Sequence, residues 1–312
     1  MRIQYEQAIY ELMKKNKRVL ALVADSGTGK YKEIQKEMPE RYIDFGIAEN
    51  TMIATASGLA SEGWIPIVYA INNFLVYRSY EFIRNDLCMD RRNVKVVGIG
   101  AGVIMNMHGP THHTLEDISC LRALPNLTLL SPGSPKEVKG ALEAAVNIDG
   151  PVYLRLAKSF EEEAFEDKPP EFVVGGLNIA HYGDDLTLFA SGSIMGDACL
   201  AAKALEQEDI HVQVVNVNSL KPVDKSGILK QARKTGRVIT LEEHNIYGGL
   251  GSIVAEILAE SGEGFAFRRM GFEDEFCLEY GWHQELKKLY GLSPEHIANA
   301  CREMASKGER NQ

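Results

Sequence analysis

Short apolar runs and stretches of helical spacing alternate along the chain, and after one interruption the alternation starts again. Before the break the runs are VLALVAD, ending at Asp25, RYIDFG, ending at Gly46, then IPIVYAI, VKVVGIGAG, LTLLSP and PVYLRLA. Between them the apolar spacing predicts helices near Tyr5 to Lys15 and Ile47 to Ser61, and in YEFIRNDL, LEDISCLRAL and PKEVKGALEAAVN. A strand that is apolar on both faces must be covered on both, and an intervening helix lets successive strands run parallel. The pattern predicts a doubly wound, mostly parallel α/β sheet. Ligands of such sheets bind at the carboxyl ends of the strands, where the loops cluster.

The break is SFEEEAFEDKPPEF, Ser159 to Phe172, an acidic stretch with Pro169 and Pro170 that reads as a linker. Beyond it DLTLFASG, HVQVVNV, VITLEEH and FAFRRMGF alternate with the helical stretches ACLAAKALEQ, KSGILKQARK and SIVAEILAE. Two α/β domains are expected, at residues 1–165 and 175–312, joined by 166–174. A chain of 312 residues, 45% of them apolar, can bury two such cores.

The formal net charge is -9, and no dense run of Lys or Arg is present. This argues against nucleic acid and anionic membrane surfaces as partners. The scattered cysteines form no CxxC pair and read as reduced thiols. The first twenty residues have neither a signal-type apolar core nor a bilayer-spanning run. A soluble cytoplasmic protein is expected.

Four stretches hold residues suited to chemistry: GIAEN at 46–50, NNFLVYRSY at 72–80, MHGPTHHTLED at 107–117 and LEEHNIYGGLGS at 241–252. Glu49 stands in the first turn of a predicted helix, where the helix dipole alone favours an acid, so local sequence leaves a catalytic role open. His108, His112 and His113 cluster beside Gly109 and Pro110. Such imidazoles serve metal binding, proton transfer or anion recognition, or sit in a loop without function. With no cysteine or well-spaced further ligand beside them, no metal site is expected in this chain. Gly248, Gly249 and Gly251 suit either phosphate binding by backbone amides or close packing of a helix on a strand. VGIGAG lacks dinucleotide spacing, and GTGK at 27–30 is followed by Tyr31 where a P-loop needs Ser or Thr.

Taken together and in order, three stretches resemble the thiamine-diphosphate enzymes of the transketolase family. RYIDFGIAENTMIATASGLASEGW is similar to the strand-to-helix segment of its pyrimidine-binding domain, GPTHHTLEDISCLRALPNLTLLSPGSPKEV to its GPTH loop and following strand, and TLEEHNIYGGLGS to its C-terminal domain. The resemblance implies a pyrimidine-binding domain followed by a transketolase C-terminal-like domain. It implies thiamine diphosphate as cofactor, with Glu49 hydrogen-bonding a ring nitrogen of the aminopyrimidine and favouring the imino tautomer that takes the thiazolium proton. The small residues behind Glu49 suit close packing of their helix in a homodimer. Phe74 or Tyr77 is implied as the aromatic stacked on the pyrimidine, and Asp25 as a further cofactor-binding residue. His112 matches the histidine that contacts sugar oxygens and assists proton transfer. Lys158 falls where the family carries a phosphate-gripping arginine, with Arg155 and Arg78 as neighbouring substrate-binding candidates. Lysine keeps the charge but loses the bidentate fork.

Departures from the family pattern shape the expected reaction. His108 stands where transketolases place an acid, and Gly100 where another substrate-facing histidine is usual, so the donor or acceptor is expected to be an unusual ketose or aldose; the resemblance implies transfer of a two-carbon ketol unit from a ketose, phosphorylated or otherwise anionic, to an aldose. The family's diphosphate-binding domain, with its GDG motif and Mg2+ or Ca2+, has no counterpart in the sequence. The chain therefore looks like the C-terminal half of a split transketolase that works with a separate N-terminal subunit, in an α2β2 assembly. The β subunit of a 2-oxo acid dehydrogenase shares the GIAE motif, and Arg155 with Lys158 resembles the RxxR pattern of deoxyxylulose-phosphate synthases. A scaffold subunit that kept the fold without activity is the reading of another class.

Overall fold

The computed structural model describes residues 1–158, 161–165, 169 and 171–306. Of the expected linker 166–174, residues 166–168 and 170 lie outside the described residues, as do Ser159, Phe160 and the last six residues. The first domain opens with α1 (Arg2–Lys15), β1 (Val19–Val23), α2 (Lys30–Glu37), β2 (Tyr42–Asp44), α3 (Glu49–Ser61) and β3 (Ile65–Ile71). A bent helical stretch follows, in which α4 (Tyr80–Phe82) is flanked by π-helical turns at Phe74–Arg78 and Ile83–Met89. Then come β4 (Lys95–Ile99), α5 (Asp117–Arg122), β5 (Thr128–Leu130), α6 (Val138–Asn147) and β6 (Val152–Leu156).

The second domain runs through β7 (Asn178–His181), β8 (Leu186–Ser191), α7 (Met195–Glu206), β9 (Val212–Asn216), β10 (Ser219–Lys221) and α8 (Lys225–Thr235). It continues with β11 (Arg237–Asn245), α9 (Leu250–Ser261), β12 (Ala266–Phe272), α10 (His283–Leu289) and α11 (Pro294–Ser306). The sheets have the orders β10-β5-β6-β4-β3-β1-β2 and β12-β11-β8-β9-β7. All pairs are parallel except β10 on β5 and β7 on β9. The doubly wound architecture follows from the apolar strands: β1, β4 and β6 are buried at every residue.

Helices α1 and α6 cover one face of the first sheet with Tyr5, Ile9, Met13, Ala141 and Leu142. Met52, Ile53 and Ala56 of α3 cover the other, in a core that continues into Val215, Leu220 and Ile253 of the second domain. The outward face of α3 carries Thr51, Ala54, Thr55 and Gly58, all exposed or half-buried. Parallel order sets the ends of β1, β2, β3, β4 and β6 on one edge, and the loops that leave this edge carry Asp25, Glu49, Phe74, the histidine turn and Lys158.

Under that edge lies a buried polar hub. Arg155, from within β6, grips Asp117 through two bonds, Nε to Oδ2 at 2.8 Å and Nη2 to Oδ1 at 3.2 Å. Its Nη2 also donates to the carbonyls of Thr114 and, across the domain boundary, Glu243. Asn72 donates to Asp117 at 3.1 Å, and the Tyr153 hydroxyl lies 2.5 Å from the same carboxylate. Burial pushes the Asp117 carboxyl up, but Arg155 and then His244 more than offset this and hold it below the usual carboxylate range. The buried imidazole of His244, 3.9 Å from Asp117, is driven down to about 4, chiefly by burial.

The sequence expectation that Arg155 faces substrate is corrected by the structure. Arg155 is 3% exposed and its guanidinium is spent on the hub. The reason is that the Asp117 carboxylate and the carbonyls of Thr114 and Glu243 consume its donors beneath the loop edge, whereas Lys158 lies two residues past the end of β6 and is only half-buried. Removing the cation leaves Asp117 buried without its partner, so Arg155→Met should lower stability by about 3–5 kcal/mol. Urea denaturation of the two proteins checks this, and an unchanged midpoint would contradict it.

Candidate active site

The turn between β2 and α3 begins with Gly46 at φ +61°, a left-handed conformation suited to glycine. Asp44 at the end of β2 fixes this turn, its Oδ1 accepting from the backbone N–H of Gly46 at 2.9 Å and of Asp25 at 3.3 Å. Asp25 itself is held at φ +47°, an uncommon conformation for a residue other than glycine. The turn delivers Glu49 to the first position of α3, buried to 3% exposure.

The Glu49 carboxylate meets Arg78 of the bent helix, with Nη1 to Oε2 at 2.8 Å. The same guanidinium lies 5.3 Å from the centre of the Phe74 ring. Phe74 and His112 meet edge to face, centroids 5.0 Å apart, and His112 lies 5.0 Å from the ring of His108. A continuous path of contacts thus joins Glu49, Arg78, Phe74, His112 and His108. Three of the four chemistry-bearing stretches meet here, brought together by the sheet edge from three separate loops.

Thr111 Oγ1 contacts His112 Nδ1 at 3.0 Å. Burial pushes the His112 imidazole below its ordinary value, and His108 and Lys158 add to this by charge. Lys158 is lowered by its own partial burial and then by Arg2. Tyr77 does not share the Phe74 position: its hydroxyl donates to Glu116 at 2.6 Å and accepts from the Glu116 backbone N–H. Its side chain is 38% exposed, and burial of the hydroxyl beside Asp117 and Glu116 raises its pKa.

The glycines of the fourth stretch serve packing around the buried carboxyl of Glu242, whose pKa burial pushes up to about 7. The backbone N–H groups of Leu250 and Gly251, at the start of α9, donate to the Glu242 carboxylate at 2.7 and 2.8 Å. A Cβ on Gly249 would fall 1.9 Å from Glu242 Oε2. The helix start is thus already occupied by a carboxylate of the chain itself. Glu243 nearby bonds His283, Ser193 and the Val103 backbone.

The residues along this path fit a polar heteroaromatic ring: Glu49 offers a carboxylate, Phe74 an aromatic face, and Asn73, next to Phe74 in the chain, an amide oxygen. Among the described residues, Asn73 Oδ1 is buried and has no hydrogen-bond partner, while its amide nitrogen is engaged by the Thr111 carbonyl. Asn73, Glu116 and the hub residue Asp117 are not singled out by sequence. Their positions inside the NNF and TLED stretches are the available signal, but nothing in residue type marks them.

The fold, two mainly parallel-sheet α/β domains in this order, is that of the transketolase pyrimidine-binding and C-terminal domains. Residues 1–160 match the transketolase pyrimidine binding domain and residues 175–297 the transketolase C-terminal domain. The chain is 34% identical over 307 residues to an apulose-4-phosphate transketolase subunit of Phocaeicola vulgatus, covering 98% of this chain and 97% of that protein. It is 34% identical over 308 residues to the 6-deoxy-6-sulfo-D-fructose transketolase subunit SqwH of a Clostridium species, covering 98% and 95%. A solved structure described as a split gene transketolase, inactive beta4 tetramer, superposes with a TM-score of 0.88 at 34% identity, over 98% of both chains. The chain belongs to the transketolase family, whose domains imply dependence on thiamine diphosphate. Among the described residues, no helix is long and apolar enough to cross a membrane.

The electrostatics of the site are open to direct measurement. Because Lys158 lowers the His112 pKa, Lys158→Met should raise the pH midpoint of His112, read from its ring protons by NMR. A midpoint that fell would reverse the sign assigned to that pair.

Proposed function

We propose that this chain is the pyrimidine-binding subunit of a split transketolase, moving a two-carbon ketol unit from an anionic ketose to an aldose. The observation that carries this is the contact path from Glu49 through Arg78 and Phe74 to His112. Glu49, Phe74 and Asn73 would hold the aminopyrimidine, with Asp25 at the neighbouring strand end. Thiamine diphosphate, when bound, supplies the nucleophilic carbon that opens the ketose carbonyl.

The chain's own residues do the rest. Glu49 presents a carboxylate oxygen to a ring N–H and sets the proton arrangement of the aminopyrimidine. Arg78 occupies that carboxylate in the structure and, at 42% side-chain exposure, can turn toward an anionic substrate once the ring takes its place. His112, with its pKa below the ordinary value, is neutral near pH 7 and accepts a proton from the sugar hydroxyl beside the bond that breaks. Lys158 supplies the cation for a phosphate or other anionic group at the far end of the sugar, and His108 lines the path between them.

A separate N-terminal subunit would hold the diphosphate through Mg2+ or Ca2+. The small outer face of α3, where a side chain added at Gly58 would meet nothing within 4 Å, suits close approach of a second copy and an α2β2 assembly. The relatives described above, two transketolase subunits and a split-gene chain, support a two-subunit enzyme. Their names give a phosphorylated and a sulfonated sugar, which supports an anionic donor here. A cytoplasmic location accords with the composition.

The test mixes this chain with an Mg2+-binding N-terminal transketolase subunit, thiamine diphosphate, anionic ketoses and an aldose acceptor, each chain alone serving as control. Ketol transfer only by the mixture supports the reading. Carbon dioxide release from a 2-oxo acid without ketol transfer would move it to the 2-oxo acid dehydrogenase branch, and condensation of pyruvate with an aldehyde to the deoxyxylulose-phosphate branch. Glu49→Gln should cut turnover by at least about 10²-fold with circular dichroism unchanged. Full turnover by that variant would leave a scaffold role standing.

A further inference from the structure

Beside the histidine turn lies a surface that the proposed chemistry does not use. After β12 the chain runs from Glu273 to Trp282 without helix or strand before α10 begins. On this strap Phe276, Leu278, Tyr280 and Trp282 are between 64% and 72% exposed, while Cys277 among them is 2% exposed and anchors the strap inward. Tyr280 rests on the active-site turn itself: a Cβ on Gly109 would come 2.3 Å from its ring. Met107, in that same turn, is 60% exposed and extends the apolar surface toward His108.

Four large apolar side chains held out on one short segment mark a surface that is covered in the working protein. The charge around them narrows what covers it. Glu273, Asp274, Glu275, Glu279 and Glu285 fall between residues 273 and 286, and no Lys or Arg does. His283, the one basic ring of the segment, is bound to Glu243 at 2.9 Å. Two copies meeting through this strap would set like charges together, which disfavours an isologous contact. The fitting occupant is a different protein surface with apolar sockets rimmed by Lys and Arg.

We propose that residues 273–282 are the docking strap for the N-terminal subunit, and that Tyr280 on Gly109 couples its arrival to the posture of the His108–His112 turn. This rests on the split-subunit reading. The strap adjoins the histidine turn through Tyr280 on Gly109, so a subunit seated on it would abut the mouth of the proposed site. The apolar side chains carry affinity, and the carboxylates speed encounter and fix orientation.

The test uses the full chain and the same N-terminal subunit, with association followed by interferometry and assembly by analytical ultracentrifugation. Phe276→Ser with Trp282→Ser should weaken association at least tenfold and leave the chain's own assembly state unchanged. Serine at 282 keeps the backbone N–H that bonds Glu285 and suits the start of α10, so folding is preserved. Glu273→Gln, Asp274→Asn and Glu275→Gln together should slow association at low salt and flatten its salt dependence, with little change in dissociation. Tyr280→Ala should lower kcat of the assembled enzyme at saturating N-terminal subunit. Variants that bind like the wild type overturn the strap alone, as does a change confined to self-assembly. A wild-type pair that forms no complex overturns the split-subunit reading and the strap with it.

Discussion

The fold turns on one buried ion pair. Asp117 is fully buried with Arg155 as its countercharge, and a carboxylate in such a place survives only with a cation and several donors around it. Its hydrogen-bond partners come from parts that must be kept in register, Asn72 before the bent helix and Tyr153 and Arg155 on β6, while the ring of His244, from the second domain, lies 3.9 Å away. The amide before Phe74 and the strand before Lys158 are thereby referred to the same carboxylate. A shift at the hub is a shift in the distance between the aromatic platform and the substrate cation.

The site above it works by contrast. The hub locks its charges with short bonds, whereas the pair Arg78 and Glu49 joins one buried carboxylate to a half-exposed guanidinium that can leave. Burial, and after it the charges of His108 and Lys158, hold the His112 pKa below its ordinary value. Where the family pattern would place an acid, His108 adds to this basic character, so the altered position accords with the anionic donor proposed above.

Most strands and helices are legible in the sequence because apolar runs alternate with helical spacing and many of the strands are buried on both faces. Within the bent stretch YEFIRNDL reads as ordinary helix, because π-helical turns such as Ile83–Met89 leave no mark on residue spacing, and the turn at Phe74–Arg78 is not read as helix at all. The helix α2, the edge strands β7 and β10, and the last two helices escape the pattern; the strands are short and lie antiparallel at sheet margins. Glu49, Phe74 and His112 are legible from motif order, and the sheet edge brings them together. Arg155 misleads because adjacency to Lys158 in LRLAKS hides that one residue sits inside the strand and the other beyond it. Asp117 stays hidden because an acid at a helix start has an ordinary explanation.

One topological detail bears on how the two domains depend on each other. Strand β10, drawn from between β9 and α8 of the second domain, pairs antiparallel with β5 and forms the outer margin of the first sheet. Cutting the chain between the domains would strip that strand away and leave the backbone of Thr128–Leu130, with its apolar neighbours, as an open template for pairing with other chains. The first domain produced alone is thus an aggregation hazard, for it also loses the part of its core that the second domain supplies. The boundary expected from sequence alternation is thus crossed by the first sheet, which takes its outermost strand from the second half of the chain.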